Sequence, residues 1–462
     1  MQSKTVDIST VIDSAKFVGL PLMVTVLTFF IMLVDGFDLQ TMSFVGPALV
    51  TEWGISRDLL GPVLSASMIG MAVGSVGLGW LGDSIGRKRS YVICIAFLFV
   101  GSLLSAYAVG LWDLFAYRFV TGIGLGGVTP LAATLISEWT SKKVRGLAVA
   151  CVVVAVPLGG MVGAGVAQWI IPNYGWRMIF FIGAGLPLVF FALAWFLLPE
   201  SPKFLARHPA QHPVLAKALN RLIKQQRFDG SETFTVDEPP APPGNWLATL
   251  LKPPFRATTL LLWAAFSFNT LALYSFVNWL PTVLTATGMP LEASLQGSKY
   301  FNFGGFFGTV GGAILIGMYG SRIVGSSLAL IGGISSIFVG LTMLMAPADA
   351  NVQLLFLICV CGMALNGMQA FLYAVGAHSY PTFIRASAVG CAQTISRIGG
   401  VLSAVVGSAF FAMNLPAGQF FFILAGISAV VVISFFSLRT HMPGGKQARE
   451  LEAQAVREGA TP

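Results

Sequence analysis

Residues 29–42 read "FFIMLVDGFDLQTM". The stretch starts as the middle of a bilayer-spanning helix should, with large apolar side chains. Asp35 then interrupts it, and Asp38 follows three residues later. A carboxylate at the centre of a membrane helix costs about 2.5–3.5 kcal/mol on insertion scales, and two cost roughly twice that. The apolar run around them begins near residue 17 and lasts about 30 residues. That is too long for a signal-peptide core, and no small-residue cleavage site follows it. It reads as a retained span with two acids on one face, because residues three apart share a helix face. The preceding "VDISTVIDSAKF" reads as a short amphipathic surface helix.

The composition agrees with that reading. Of 462 residues, 55% are hydrophobic and 10% charged, against about 25% charged in soluble domains. The chain is therefore a polytopic membrane protein. Its five cysteines (Cys94, Cys151, Cys359, Cys361, Cys391) lie inside apolar runs. They read as small packing residues, with no metal spacing and no disulfide framework. No nucleophile–base set and no metal cluster is visible, so the chain reads as no enzyme, with no metal and no cofactor. The net charge of +8 sits in short loops between spans. That is a topology signal and not a nucleic-acid surface.

Apolar runs separated by charged or Gly/Pro-rich breaks place spans near 20–48, 60–81, 90–109, 113–138, 146–171 and 178–198. A second set lies near 257–285, 295–319, 323–345, 351–375, 387–412 and 418–438, each long enough to cross a bilayer. The expected fold is all-α, twelve transmembrane helices in two six-helix pseudo-repeat halves. The expected divisions are 1–198, a central segment 199–255, 256–438 and a tail 439–462. The central segment holds "KALNRLIKQQRF", an amphipathic helix pattern, and "DEPPAPPG", a stiff Pro-rich linker. Of 27 Lys and Arg, Arg57, Arg177 and Lys299 fall on one side and Arg118 and Arg397 inside spans, leaving 22 on the other side. The positive-inside rule then puts both termini in the cytoplasm.

The halves repeat. Shifted by 240 residues, "TGIGLGGV" (121–128) falls on "CGMALNGM" (361–368), and "VRGLAVACVVVAVPLGG" (144–160) on "IRASAVGCAQTISRIGG" (384–400). Arg145 meets Arg385, and Gly159-Gly160 meet Gly399-Gly400. Pro157 meets Arg397, a charge placed on one side of an otherwise matching pair. Two such halves around a central pathway form a transporter architecture, with the site expected near the midplane.

Several motifs carry chemistry. "GWLGDSIGRKR" (79–89) follows span 2: Asp83 and Arg87 can pair, and Gly86 permits a tight turn. Its copy "GMYGSRIVG" (317–325) has Gly317 where the acid would stand. "RFVTGIGLGG" (118–127) puts Arg118 near one end of span 4, ahead of a glycine run suited to close helix packing. Glu138 lies near the other end of that span, as a proton-coupling acid or a rim acid paired with the lysines that follow. "VPLGGMVGAGV" (156–166) reads as a helix interface, and "PESPKFLARH" (199–208) as a helix stop and turn that says little about substrate. In span 7, Tyr274 and Asn278 share a face, and Asn269 could face the same side. Asn302 in span 8 and Gln369 in span 10 add amides among aromatic residues. Polar amides beside aromatic rings suit a planar aromatic ligand with a polar edge. His378 occupies the repeat position of Glu138.

Together, "DGFDLQTMSFVGPAL", "WGISRDLLGPVLSASMIGM", "GWLGDSIGRKR", "PESPKFL" and "YPTFIRASAVG" resemble the aromatic acid:proton symporter family of the major facilitator superfamily, over about residues 6–440. The resemblance implies the major facilitator fold and multi-pass residence in a bacterial inner membrane. It implies uptake of hydroxybenzoate-, protocatechuate-, vanillate- or gallate-like acids with protons, by a monomer. It also implies roles for the span-1 acids and the span-4 and span-11 arginines, here Asp35, Asp38, Arg118 and Arg397, and a gating role for Asp83, Gly86 and Arg87.

The expected mechanism follows from these positions. Arg118 pairs with one span-1 acid, and the other acid carries the proton, since two close carboxylates do not both ionise freely. Arg397 meets the substrate carboxylate. Asn269, Tyr274, Asn278, Asn302 and Gln369 are candidates for ring hydroxyls. Two alternatives stand beside this: a sugar or small organic-acid proton symporter, which "PESPKFL" would fit, and a non-transporting membrane sensor.

Overall fold

A backbone in lipid has no water to satisfy its amides, so apolar runs of this length fold as helices that bond internally. The computed structural model describes residues 5–236, 246–345, 352–438 and 441–442. The linker 237–244 and the tail 439–462, apart from 441–442, lie outside the described residues. Among the described residues, twelve helices are long and apolar enough to cross a membrane. With the short elements numbered in chain order, the first six spans are α2 (Leu20–Trp53), α3 (Leu60–Ile85), α4 (Arg87–Ala106), α5 (Leu111–Trp139), α6 (Lys142–Tyr174) and α7 (Arg177–Leu197). The second six are α11 (Arg256–Ala286), α12 (Leu291–Tyr319), α13 (Ser321–Met345), α14 (Val352–His378), α15 (Thr382–Ala412) and α16 (Gln419–Phe436). The helices outrun the apolar windows, because polar residues at their ends continue the same hydrogen-bond ladder.

The chain forms two contact-dense units. One comprises residues 1–41, 66–163 and 173–239, and the other residues 42–65, 164–172 and 240–462.

In the first unit, glycines let backbones touch. Gly122 and Gly126 of α5 lie against the Ser67 and Met71 carbonyls of α3, while Gly124 lies against the Cys94 carbonyl of α4. Gly159 of α6 lies against the Leu33 carbonyl of α2. A β-carbon at any of these positions would collide with backbone. The glycine run of span 4 thus serves two neighbours at once.

The second unit repeats the pattern. Gly362 of α14 lies against the Phe301 carbonyl of α12, and Gly399 of α15 against the Ser267 carbonyl of α11. Ser67 and Phe301 are 234 positions apart, as are Leu33 and Ser267. The repeat offset is therefore 240 in spans 4 and 5 but 234 in spans 1 and 2. Gly86 and Gly320, also 234 apart, both take positive φ (104° and 80°) between consecutive spans. The copied loop keeps its glycine turn although its acid is gone.

The first unit also holds a small non-membrane assembly. Strand β1 (Thr5–Asp7) pairs in parallel with β2 (Thr233–Thr235), Val6 opposite Phe234. Helix α1 (Ile8–Ser14) is capped by Asp7, which accepts from the Ser9 amide at 2.9 Å, and buries Ile8, Val11 and Ile12. Asp13 accepts from the first amide of α6, Lys142 N, at 2.9 Å, and its carboxylate lies 3.3 Å from Lys142 Nζ. Partial burial opposes ionisation of Asp13, but the Lys142 amide and ammonium outweigh it and hold its carboxyl below the usual range. Two short helices follow α7, α8 (Pro202–Ala206) and α9 (His212–Ile223). The amphipathic helix starts earlier than its apolar pattern, because Pro213 stands in its first turn. It ends where Lys224 turns left-handed at φ 56°. The Asn220 side chain then takes the Arg227 and Phe228 amides. Helix α10 (Trp246–Leu250) precedes the second six spans.

Candidate functional site

Helix α2 runs unbroken past Asp35 and Asp38, so both acids are carried by one rigid rod. Asp38 and Arg118 are both 0% exposed. Arg118 Nη1 lies 3.2 Å from Asp38 Oδ2 and 3.4 Å from Oδ1, while Nη2 donates to the Asp38 backbone carbonyl at 2.9 Å. Ser102 of α4, equally buried, donates to Asp38 Oδ1 at 2.6 Å. The Phe180 ring of α7 faces the guanidinium at 5.8 Å, and Gly183 lies beside the Asp38 carboxylate. Asp38 thus answers both ends of the arginine fork, a buried pair whose two charges are met at close range. Asp35, one turn back, is also buried, with Tyr91 and Cys94 of α4 within its electrostatic reach.

Glu138 is not brought to this group. It lies twenty residues beyond Arg118 on the same helix, about 30 Å at 1.5 Å per residue. Its carboxylate accepts from Ser201 Oγ. Nearby, Arg87 Nη1 pairs with Asp83 at 2.6 Å and donates to the Gly82 carbonyl at 2.7 Å. Glu200 accepts from the Lys88 amide at 3.0 Å and the Ser201 amide at 2.8 Å. Gly86 packs against that Glu200 carboxylate, and its positive φ disfavours any side chain at position 86. "PESPKFL" is therefore more than a helix stop. Glu200 and Ser201 tie the end of α7 to the start of α4 and the end of α5.

In the second unit, amides replace charges. Asn269 of α11 donates from Nδ2 to Gln369 Oε1 of α14 at 2.8 Å and to the Leu365 carbonyl at 3.3 Å. Thr270 Oγ1 donates to the same Gln369 oxygen at 3.3 Å. That oxygen takes both donors, which turns the Gln369 amide nitrogen away from them. Asn278 instead donates to Ser403 Oγ of α15 at 3.1 Å, and Trp279 Nε1 to the Ser403 carbonyl at 3.0 Å. Asn269 and Asn278 thus face different helices. Nine residues are about two and a half turns, which sets them on opposite sides of α11 and corrects the expectation that they share one. Asn302 donates to its own helix at the Ser298 carbonyl, 2.9 Å away. Tyr274 is half-buried. Arg397, half-buried on α15, takes part in none of the ion pairs among the described residues.

Sequence reasoning missed Ser102, Ser201, Glu200 and Thr270. A serine in an apolar run reads as a small packing residue, and nothing local says that its hydroxyl faces a carboxylate 64 positions away. No group of three or more potential metal ligands occurs among the described residues.

Known proteins are similar to this chain in sequence. The sequence profile of the Major Facilitator Superfamily matches residues 28–404. The chain is 32% identical over 420 residues to the gallate transporter of Pseudomonas putida, covering 91% of this chain and 92% of that one. It is 31% identical over 440 residues to the 4-hydroxybenzoate transporter PcaK of Acinetobacter baylyi, covering 94% of each. Among solved structures, the partially occluded, inward-open xylose transporter XylE of E. coli superposes with a TM-score of 0.72 at 17% identity, over 91% of this chain and 98% of that one. That likeness speaks for the fold alone.

Proposed function

Since the chain belongs to the Major Facilitator Superfamily, with aromatic-acid transporters among its relatives, we propose that it imports a small aromatic carboxylate together with protons by alternating access. It is a multi-pass membrane protein of a transporter family and not an enzyme. The substrate is hydroxybenzoate-, protocatechuate-, vanillate- or gallate-like. The protein works as a monomer in a bacterial inner membrane, with both termini cytoplasmic.

One observation carries the reading: a fully buried Arg118–Asp38 pair with a second acid, Asp35, one turn away. A buried ion pair is an expensive way to hold helices together, and apolar replacements often do better. Ionisable groups inside a span belong instead to ion and proton paths. Asp38 stays engaged with Arg118, and Asp35 takes up and releases the proton. Arg397 receives the substrate carboxylate, a charge without an ion-pair partner among the described residues. The Asn269–Thr270–Gln369 cluster and Tyr274 meet ring hydroxyls. Asn278 and Asn302, spent on Ser403 and Ser298, serve packing. Glu138 belongs with Asp83, Gly86 and Arg87 in a latch that gates the far end of the first unit.

The test is uptake of labelled gallate and 4-hydroxybenzoate by cells or proteoliposomes, with and without a protonophore. Accumulation that collapses with the protonophore is expected. Accumulation indifferent to it, or absent for every aromatic acid tried, overturns the proposal. Arg397→Lys should weaken binding of acids about tenfold and leave neutral esters nearly unchanged, the mark of a lost bidentate contact. Equal losses for both would make Arg397 a structural residue.

A further inference from the structure

Ser102 has no place in the expectations drawn from sequence, yet it makes one of the shortest side-chain contacts in the first unit. Its Oγ donates to Asp38 Oδ1 at 2.6 Å, and neither residue is exposed. Ser105, one turn on and equally buried, returns its hydroxyl to its own helix at the Gly101 carbonyl, 2.7 Å away. Two serines on one buried helix therefore use their hydroxyls differently. Ser105 satisfies itself, while Ser102 reaches across to another span.

The groups facing Asp38 come from every helix packed around it. Helix α5 supplies Arg118. Helix α4 supplies Ser102, with Tyr91 and Cys94 lying toward Asp35. Helix α7 supplies Phe180 and Gly183, and α6 supplies Val156 and Gly159 against α2, with no charge among these four. Asp35 stands on the same helix as Asp38. Asp38 thus receives one charged and one neutral donor at its carboxylate, from two different helices. The neutral donor matters for selectivity between the two acids. Arg118 alone attracts either carboxylate, whereas the Ser102 hydroxyl bonds Asp38.

We infer that Ser102 is a positioning residue that holds Asp38 on Arg118 as a carboxylate, which leaves the transported proton to Asp35. The inference rests on the proton coupling proposed above. Ser102 touches neither substrate nor proton path itself; it acts through Asp38. Without its hydroxyl, Asp38 competes with Asp35 for the proton, and the Arg118 pair opens at the wrong point of the cycle. Accumulation then leaks, while the binding and conformational steps persist.

The experiment uses the full-length chain in proteoliposomes, with labelled 4-hydroxybenzoate and gallate as probes. Initial rates are measured across neutral pH, and substrate exchange without net proton movement is measured in parallel. Ser102→Ala should lower accumulation about tenfold, the scale of one hydrogen bond to a charged group. Its pH–rate profile should be displaced, and its exchange should stay near wild type. Ser102→Thr, which keeps the hydroxyl, should restore the profile. Ser105→Ala, which removes the self-satisfied hydroxyl, should match wild type. Should Ser102→Ala fail to fold, Ser102→Cys keeps the size with a weaker donor, and an intermediate displacement supports the inference. A Ser102→Ala profile that overlays wild type overturns it. So does an equal loss of exchange and accumulation at an unmoved profile, which marks a packing role. If wild type itself moves no protons with either probe, the transport proposal fails instead, and the two failures are told apart.

Discussion

The two units build the same helix contacts and put opposite chemistry on them. Gly122 on Ser67 in one is Gly362 on Phe301 in the other, and Gly159 on Leu33 is Gly399 on Ser267. At the offset of 234 that these contacts define, Asp35 corresponds to Asn269 and Asp38 to Ala272. The first unit thus places two titratable groups where the second places a neutral amide and an alanine. The Arg118 position, at the offset of 240, falls on Ile358, so the fixed cation is absent from the copy as well. The reverse holds at Pro157 and Arg397. A shared scaffold thus carries a buried ion pair beside a second acid in one unit and neutral amides in the other, where Arg397 stands in no ion pair among the described residues.

Breaking the charged side of this comparison should have the largest effect. Arg118→Gln leaves Asp38 buried without its partner, which costs about 3–5 kcal/mol. Thermal unfolding in detergent should show that loss, and uptake should vanish. The double variant Arg118→Gln with Asp38→Asn removes both charges and should recover much of the stability but none of the uptake.

The next largest effect separates the two acids. Asp35→Asn makes the first unit resemble the second, and pH-driven accumulation should fall more than tenfold while exchange of labelled substrate survives. Full accumulation by both Asp35→Asn and Asp38→Asn would remove the acids from the coupling scheme. The reciprocal Asn269→Asp should not confer coupling in the Asp35→Asn background, because no arginine stands at the matching position of α14.

Smaller effects test the scaffold. Gly122→Ala and Gly362→Ala each force a β-carbon onto a backbone carbonyl, and each should destabilise by about 1–3 kcal/mol. Similar losses for the pair would sharpen the equivalence of the units, and a large disparity would break it. The smallest effect concerns the N-terminal assembly. Asp13→Asn weakens the cap on α6 by about 1 kcal/mol or less. Because the folded Asp13 carboxyl lies below its ordinary range, its contribution is present above that range and fades as pH falls through the folded value. Limited proteolysis near residue 14 should therefore accelerate in acid for the wild type, and the variant should show little such dependence.

The spans were legible because hydropathy over some twenty residues is a strong signal, and the repeat register of 240 held in spans 4 and 5, whereas spans 1 and 2 repeat at 234. The Asp38–Arg118 pairing was legible in kind, since a buried arginine needs an acid, although which acid it takes depends on the mutual rotation of two helices. Other features left no local trace. The opposed faces of Asn269 and Asn278 follow from a half-turn that counting whole turns hides. The Ser102 contact is encoded only by three-dimensional proximity. The pairing of Thr5–Asp7 with Thr233–Thr235 joins two three-residue strands, each too short to show a period of its own.

That last pairing imposes a schedule on synthesis. The first strand leaves the ribosome 228 residues before its partner, Thr5 against Thr233, which at roughly 5–20 residues per second is a wait of about 10–45 s. Six spans must enter the bilayer in that interval, an even number that returns the nascent chain to the side it left. Pairing of the two strands thus requires that an even number of spans has entered the bilayer between them. A span skipped by the translocation machinery would strand its partner across the membrane, and the assembly that caps α6 could not form.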